Sequence, residues 1–469
     1  MRISFFGAAS EVTGSKHILE LAGRRILLDC GLWQGSHQAD ELNAQRLPFD
    51  ARTIDAVIVS HAHLDHVGML PILVKNGFTG PIYSTGATRD LAELILLDAA
   101  KIQEQDAIYW QRHHPQQTDP IQPLYTQQDI PPVMQLFERV RYAHLGGDFL
   151  QILPEIGLKL YDAGHILGSA VVVLQGQEGG KTRRLVYTGD LGRANAPLLR
   201  DPDPVTESAE ALIMESTYGM RLHHPVHDVE GQLIKIMTIA VARHGKVILP
   251  AFSLGRTQEL IYILHQLTDQ GKLPRIPIVI DSPLASRVTA VFQRHQQDYD
   301  RESRSDFAYP NENPLVFSNL EFTETVEESK ALNSRGGPLV IISASGMATG
   351  GRVLHHLRNT LPQSTNQIVF TGYQATGTLG RRLVSGIKSI RMFGAEVPVQ
   401  AEIKILNDLS AHADGAELTA FAESIQGVQQ VFLVHGEADR ATAFQANLKA
   451  RHPDWAVIVP TKQQVVDLG

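Results

Sequence analysis

The densest group of ligand-type side chains in the 469-residue sequence is His61-Ala-His63-Leu-Asp65-His66. These four side chains directly follow the strand-like run Ala56-Val-Ile-Val-Ser60 and precede a helical pattern over Gly68–Lys75. A lone histidine in a polar loop is usually structural, but H-x-H-x-D-H at a strand end has metal-ligand spacing. His61 and His63 can face one ion as the strand ends. Asp65 and His66, after the chain turns, can face a second.

One such cluster cannot fill two coordination spheres. Three later strand ends offer the missing donors: His165 in Ala163-Gly-His-Ile-Leu-Gly-Ser169, Asp190 in Tyr187-Thr-Gly-Asp, and His435 in Val434-His-Gly-Glu437. Together they complete a set for two Zn2+ per chain, with Asp190 the natural bridge; manganese would also suit these donors. Asp29, closing the strand Ile26–Leu28, suits a carboxylate that orients the ligating imidazoles.

The order Asp29, His61-x-His63-x-Asp65-His66, His165, Asp190 resembles the metallo-β-lactamase superfamily. Met214-Glu215-Ser-Thr-Tyr-Gly219, Ser410-Ala-His412-Ala-Asp414 and Val434-His435-Gly-Glu437 are similar to the three extra motifs of its β-CASP nucleases, which include the mRNA 3′-end cleavage endonuclease and bacterial RNase J. The resemblance spans nearly the whole chain. It implies an α/β fold: a metallo-β-lactamase αββα sandwich with an inserted α/β β-CASP domain folded as a cap over the metal site. It also implies one zinc on His61, His63 and His165, the other on Asp65, His66 and His435, and Asp190 shared. Asp65, His412 and Glu215 become the catalytic residues, with His412 near the scissile phosphate and Glu215 holding its ring. Histidine at position 435 implies RNA rather than DNA.

In such a site a metal-bridging hydroxide attacks phosphorus while the metals neutralise the phosphoryl oxygens. That attack does not use the RNA 2′-hydroxyl, so the products carry 5′-phosphate and 3′-hydroxyl ends. A protonated His412 can donate to the departing oxygen, and Glu215 favours that protonated form. The expected activity is therefore an endoribonuclease. The alternatives are a 5′-3′ exoribonuclease of the RNase J type, a small-substrate metallo-hydrolase, and a catalytically silent RNA-binding scaffold. The end of the chain soon after His435 favours the endonuclease form, and the filled ligand positions argue against the scaffold. With no accessory N-terminal extension, selectivity is expected from the inserted domain or from partners.

A second kind of site lies within that domain. Ile342–Gly351, Thr371–Arg382 and Pro250–Arg256 are small-residue turns after buried strands, where backbone N–H groups suit phosphate. Ser343, Ser345, Gly346, Arg256, Arg381 and Arg382 are the expected phosphate contacts. Phe252 and Tyr373 could stack on bases or pack in the core.

The elements that must position these residues follow two patterns. Short β-branched runs separated by polar turns fill the first 220 residues, with a helix over Thr88–Ala107 and an irregular excursion over 111–132. Helices then alternate with buried strands, the pattern of a parallel sheet, before the earlier style returns with Glu402–Leu406. The expected division is 1–219 and 401–469 for the metallo-β-lactamase domain and 220–400 for the insertion.

Composition sets outer limits. A net charge of −8 argues against a nonspecific nucleic-acid coat, though not against a local cationic groove. The single cysteine, Cys30, forbids an intramolecular disulfide and fits a cytoplasmic setting. No apolar run reaches membrane-spanning length and no signal peptide is evident, so no membrane partner is expected; RNA as the partner is what the resemblance implies. The sequence leaves the oligomeric state open, a homodimer included. His113-His114 and His223-His224 read as surface pairs, and His17 as structural.

Overall fold

Three larger sheets and one small hairpin emerge from these strands in the computed structural model. It describes the whole chain except residues 36, 115–121, 144–146, 223–226, 307–312, 373, 376, 407 and 408, and the side chains of 37, 227, 228 and 306. Two compact units result. One comprises Met1–Ala194, Asp201–Leu222 and His412–Gly469; the other comprises Asn195–Arg200 and His223–Ala411.

The first unit is a sandwich of two seven-stranded sheets. One runs Val465–Asp467, Arg2–Gly7, Lys16–Leu21, Arg24–Leu28, Ala56–Ile58, Ile82–Ser84, Phe137–Arg139. The other runs Ala456–Ile458, Gln430–Val434, Ala211–Glu215, Lys181–Tyr187, Ala170–Glu178, Ile156–Asp162, Leu150–Leu153. Alternate residues point inward, so Phe5, Leu19 and Leu28 meet Leu158, Val172, Ile213 and Phe432 in one core. Burying each large side chain there contributes about 1.5–3 kcal/mol. Helices cover the outer faces. Gly415–Ser424 and Ala438–Arg451 set Leu418, Phe421, Phe444 and Leu448 against the second sheet. This is the expected αββα sandwich, and the inserted domain completes the expected α/β class.

The second unit is built on a six-stranded parallel sheet, in the order Leu320–Phe322, Ile278–Asp281, Leu339–Ser343, Lys246–Pro250, Gln367–Phe370, Glu402–Ile405. Glu402–Ile405 was grouped with the C-terminal part; it pairs instead with Gln367–Phe370, and the first unit resumes at His412. A strand's apolar pattern states that it is buried, not which sheet it joins. Asn195–Arg200 also belongs here: Leu199 bridges Tyr299, and Arg200 donates to the Tyr299 carbonyl at 3.0 Å.

Two local expectations change. The helix expected over Thr88–Ala107 spans Gly86–His113, started by the Thr85 hydroxyl accepting the Thr88 N–H. Within 111–132, with 122–126 irregular as expected and 115–121 outside the described residues, the chain starts as the end of this helix and closes in a short helix, Ile130–Met134. Pro131 and Pro132 sit in its first turn, where the missing N–H costs nothing. No described helix is long and apolar enough to cross a membrane.

Candidate metal centre

The ligand candidates converge because each follows a strand ending at one edge of the sandwich. His61, His63, Asp65 and His66 follow Ala56–Ile58, His165 follows Ile156–Asp162, Asp190 follows Lys181–Tyr187, and His435 follows Gln430–Val434. His435 (φ +50°) and Asp29 (φ +57°) turn the chain sharply there.

Donor atoms of His61, His63, His165 and Asp190 lie within 4.8 Å of one another, as do those of Asp65, His66 and His435. Asp190 faces both groups. Its Oδ2 is 3.5 Å from His61 Nε2 and 3.6 Å from His165 Nε2. Its Oδ1 is 3.4 Å from His66 Nε2 and 3.5 Å from His435 Nε2. His63 Nδ1 stands 3.0 Å from His61 Nε2 and 3.3 Å from His165 Nε2. Donors bonded at about 2.0–2.1 Å around a tetrahedral ion sit about 3.3 Å apart, so the spacing fits. Asp190 Oδ1 and His66 Nε2 are buried without a hydrogen-bond partner. Two orphaned atoms facing each other inside a donor cluster suit a cation.

Charge divides the groups. Burial drives His61 well below the usual histidine value and His63 to about 4, leaving neutral imidazoles with lone pairs for a metal. Burial also opposes charge on His66 and His435, but Asp190 and its neighbouring carboxylates raise both. Asp65 is held at about 2: burial works against its charge, and the His66 and His435 rings outweigh it. Protons on this second group take the place a metal cation would hold.

Asp29 orients the second group. Its Oδ2 accepts from His66 Nδ1 at 2.7 Å, Ser60 Oγ at 2.7 Å and Tyr187 Oη at 2.6 Å, and its Oδ1 accepts the Ser60 N–H at 2.7 Å. Ser60 and Tyr187 were not singled out in the sequence. Their only signal was position, one residue before His61 and three before Asp190. His17, buried beside Tyr187 in Lys16–Leu21, supports the site from within the core.

Beside the cluster, His412 Nδ1 lies 2.9 Å from Glu215 Oε1, which also accepts the Leu191 N–H. The His412 ring is 4.5 Å from that of His165. Burial would lower His412, but the Glu215 charge and hydrogen bond raise it to about 9. The Glu215 carboxylate thus favours the protonated form of this ring.

The phosphate-contact candidates of the second unit divide. Ser343 is corrected: its buried hydroxyl donates to the Asp281 carbonyl at 2.9 Å. Arg256 is corrected too, because Glu259 holds its guanidinium at 2.8 Å and little of it is exposed. Ser345 Oγ accepts the Thr349 N–H, shaping the turn that carries Gly346. A Cβ at Gly346 would stand 3.1 Å from the Phe252 ring, so Phe252 lies against this turn. Arg381 and Arg382 are exposed in the helix Leu379–Val384. Tyr373 and the pair His223-His224 lie outside the described residues, whereas His113 and His114 are exposed.

Known proteins share this organisation. Residues 18–206 match the metallo-beta-lactamase superfamily domain, 257–383 the Beta-Casp domain, and 396–460 the Zn-dependent metallo-hydrolase RNA specificity domain. Ribonuclease TTHA0252 of Thermus thermophilus is 39% identical over 96% of each chain. Transcription termination factor FttA of Methanocaldococcus jannaschii is 31% identical over 95% of this chain and 68% of its own. A crystal structure of a protein of unknown function from Enterococcus faecalis covers 99% of both chains with TM-score 0.56 and 13% identity, a likeness of fold. The chain belongs to the β-CASP family of RNA nucleases in the metallo-β-lactamase superfamily.

Proposed function

We propose that this protein is a two-zinc endoribonuclease leaving 5′-phosphate and 3′-hydroxyl ends. The observation that carries the reading is Asp190, whose two oxygens face two separate donor groups with matching spacing. Histidine-rich donors with carboxylates suit zinc. A bound metal pair would activate water near neutral pH and neutralise charge on the phosphoryl oxygens. The names of the Thermus and archaeal relatives, a ribonuclease and a termination factor, fit a role on RNA.

The chain's own residues divide the work. His61, His63 and His165 would hold one ion and Asp65, His66 and His435 the other, with Asp190 available to both. Asp29 fixes the His66 ring through Nδ1, so that Nε2 faces the cluster. Glu215 keeps His412 protonated and oriented through Nδ1. His412 then gives a proton from Nε2 to the departing 3′ oxygen, the step that turns a poor alkoxide leaving group into a hydroxyl. Ser345, the backbone at Gly346, Arg381 and Arg382 hold the RNA backbone.

Elemental analysis paired with cleavage of an end-labelled RNA tests this reading. The expected result is two zinc per chain and internal cuts that vanish with chelator and in His63→Ala. Products should ligate through a 3′-hydroxyl without prior treatment. Stepwise release of mononucleotides from the 5′ end would replace the endonuclease reading with the exonuclease one. Intact RNA alongside hydrolysis of a small ester would overturn both.

A further inference from the structure

From Gly336 to Ala395 the chain contains no aspartate or glutamate, although acidic residues outnumber basic ones 50 to 42 overall. The same stretch holds Arg352, Arg358, Arg381, Arg382, Lys388 and Arg391. An ordinary soluble surface intersperses both signs. This one does not.

The fold gathers the stretch into one layer. The helices Val353–Thr360 and Leu379–Val384 and the hairpin Ser389–Met392/Ala395–Pro398 share an apolar core of Val353, Leu357, Leu383, Ile390, Met392 and Val397. Arg352 is neutralised by Asp281 at 2.7 Å. The other five cations are exposed, and none has an acidic partner among the described residues. Some exposed arginines elsewhere do find acids, as in Arg243–Glu402 and Arg451–Glu423. At the hairpin tip Phe393 is 50% exposed. The His355 ring stacks on it at 4.6 Å and 18°, and the Arg358 guanidinium carbon is 5.6 Å from its centroid.

These cations outnumber the one acid of the layer, Glu396, which stands opposite Arg391 in the hairpin and accepts from Ser389 Oγ, and they create a local positive field within a molecule of net charge −8. An aromatic shelf among them adds what a polyanion alone does not require, a surface for a base. We propose that this face of the inserted domain is a docking surface for single-stranded RNA outside the hydrolytic centre. Arg358, Lys388 and Arg391 contact phosphates, and Phe393 contacts a base. The assignment rests on RNA as the substrate and extends the backbone contacts beyond Arg381 and Arg382.

Fluorescence anisotropy with a labelled, unstructured RNA of about 30 nucleotides tests it, on the zinc-loaded protein carrying His412→Ala to keep the RNA uncut. Each phosphate contact contributes about 0.7 to the slope of log affinity against log salt for single strands. The combined change Arg358→Gln, Lys388→Gln and Arg391→Gln should lower that slope by about 2 and weaken binding on the order of tenfold or more. In the otherwise wild-type enzyme the loss should fall on KM while kcat is retained. Phe393→Ala should weaken binding about tenfold with the slope unchanged. Lys449→Gln, in the helix Ala438–Arg451, should bind as wild type. Unaltered slope and affinity in the triple variant, with the parent binding RNA, would overturn the surface alone. Loss of binding to polyglutamate but not to RNA would overturn it in favour of an acidic protein. A wild type that binds RNA through this face but leaves it uncut would uphold the surface and sink the nuclease reading.

Discussion

Asp190 in the sandwich and Asp281 in the inserted domain are both buried carboxylates beside histidines, and their surroundings differ in one respect. Asp281 Oδ1 accepts from Thr323 Oγ1 at 2.5 Å and Arg352 Nη1 at 2.7 Å. Its Oδ2 accepts from Ser329 Oγ at 2.6 Å and His356 Nε2 at 2.5 Å. The protein itself satisfies that carboxylate and supplies its counter-charge. Asp190 Oδ1 instead lies 3.4 Å from His66 Nε2 and 3.5 Å from His435 Nε2, and neither Asp190 Oδ1 nor His66 Nε2 has a hydrogen-bond partner among the described residues. The same residue types make a closed structural hub in one place and an open donor set in the other. What separates them is whether valence remains for a cation.

The largest effect should come from closing the open set. Asp190→Asn removes the shared charge, and kcat/KM on RNA should fall by about a thousandfold or more. Metal per chain should fall with it. Activity within tenfold of wild type and full metal content would break the comparison.

Opening the closed set should act on stability instead. Asp281→Asn leaves Arg352 and His356 without their carboxylate and should cost about 3–5 kcal/mol in urea unfolding, with metal content unchanged. Despite burial, its hydrogen bonds from His356, Ser329, Thr323 and Arg352 hold Asp281 below the ordinary carboxylate value. Its contribution is therefore complete above the unfolded value of about 3.9 and is lost as pH falls through the lowered one. The gap between wild type and Asp281→Asn should shrink on acidification; a gap independent of pH would deny the carboxylate its role as hub.

A smaller change should sharpen the contrast. Tyr187→Phe deletes one donor to Asp29 and leaves the ligands in place. Zinc affinity, measured by competition with a chelator, should weaken about tenfold, with melting temperature little changed. Unchanged affinity would mean that His66 and Ser60 alone orient Asp29.

Much of the site was legible because its information is local. H-x-H-x-D-H brings four donors together by spacing alone, and strands ending in His165, Asp190 and His435 announce themselves by an apolar run followed by a ligand type. The Tyr187–Asp29 bond joins residues 158 positions apart, and nothing in either strand names the other. Arg256 is a different miss. Glu259 one helical turn away was visible in the sequence, and i,i+3 pairing was reason to expect an engaged guanidinium. Pro131 and Pro132 close the stretch expected to be irregular yet begin a helix, since proline is tolerated in a first turn.

By itself the sequence determined which residue types stand at strand ends, the alternation that makes a sandwich and a parallel sheet, and the acid-free stretch of the inserted domain. These depend on near neighbours in the chain. Only the tertiary structure decided that Glu402–Ile405 joins the second sheet, that Ser343 bonds the Asp281 carbonyl, and that Asp190 turns one oxygen to each donor group. Those outcomes depend on which strands lie side by side, and hydrogen bonds and charges act across space without regard to sequence separation.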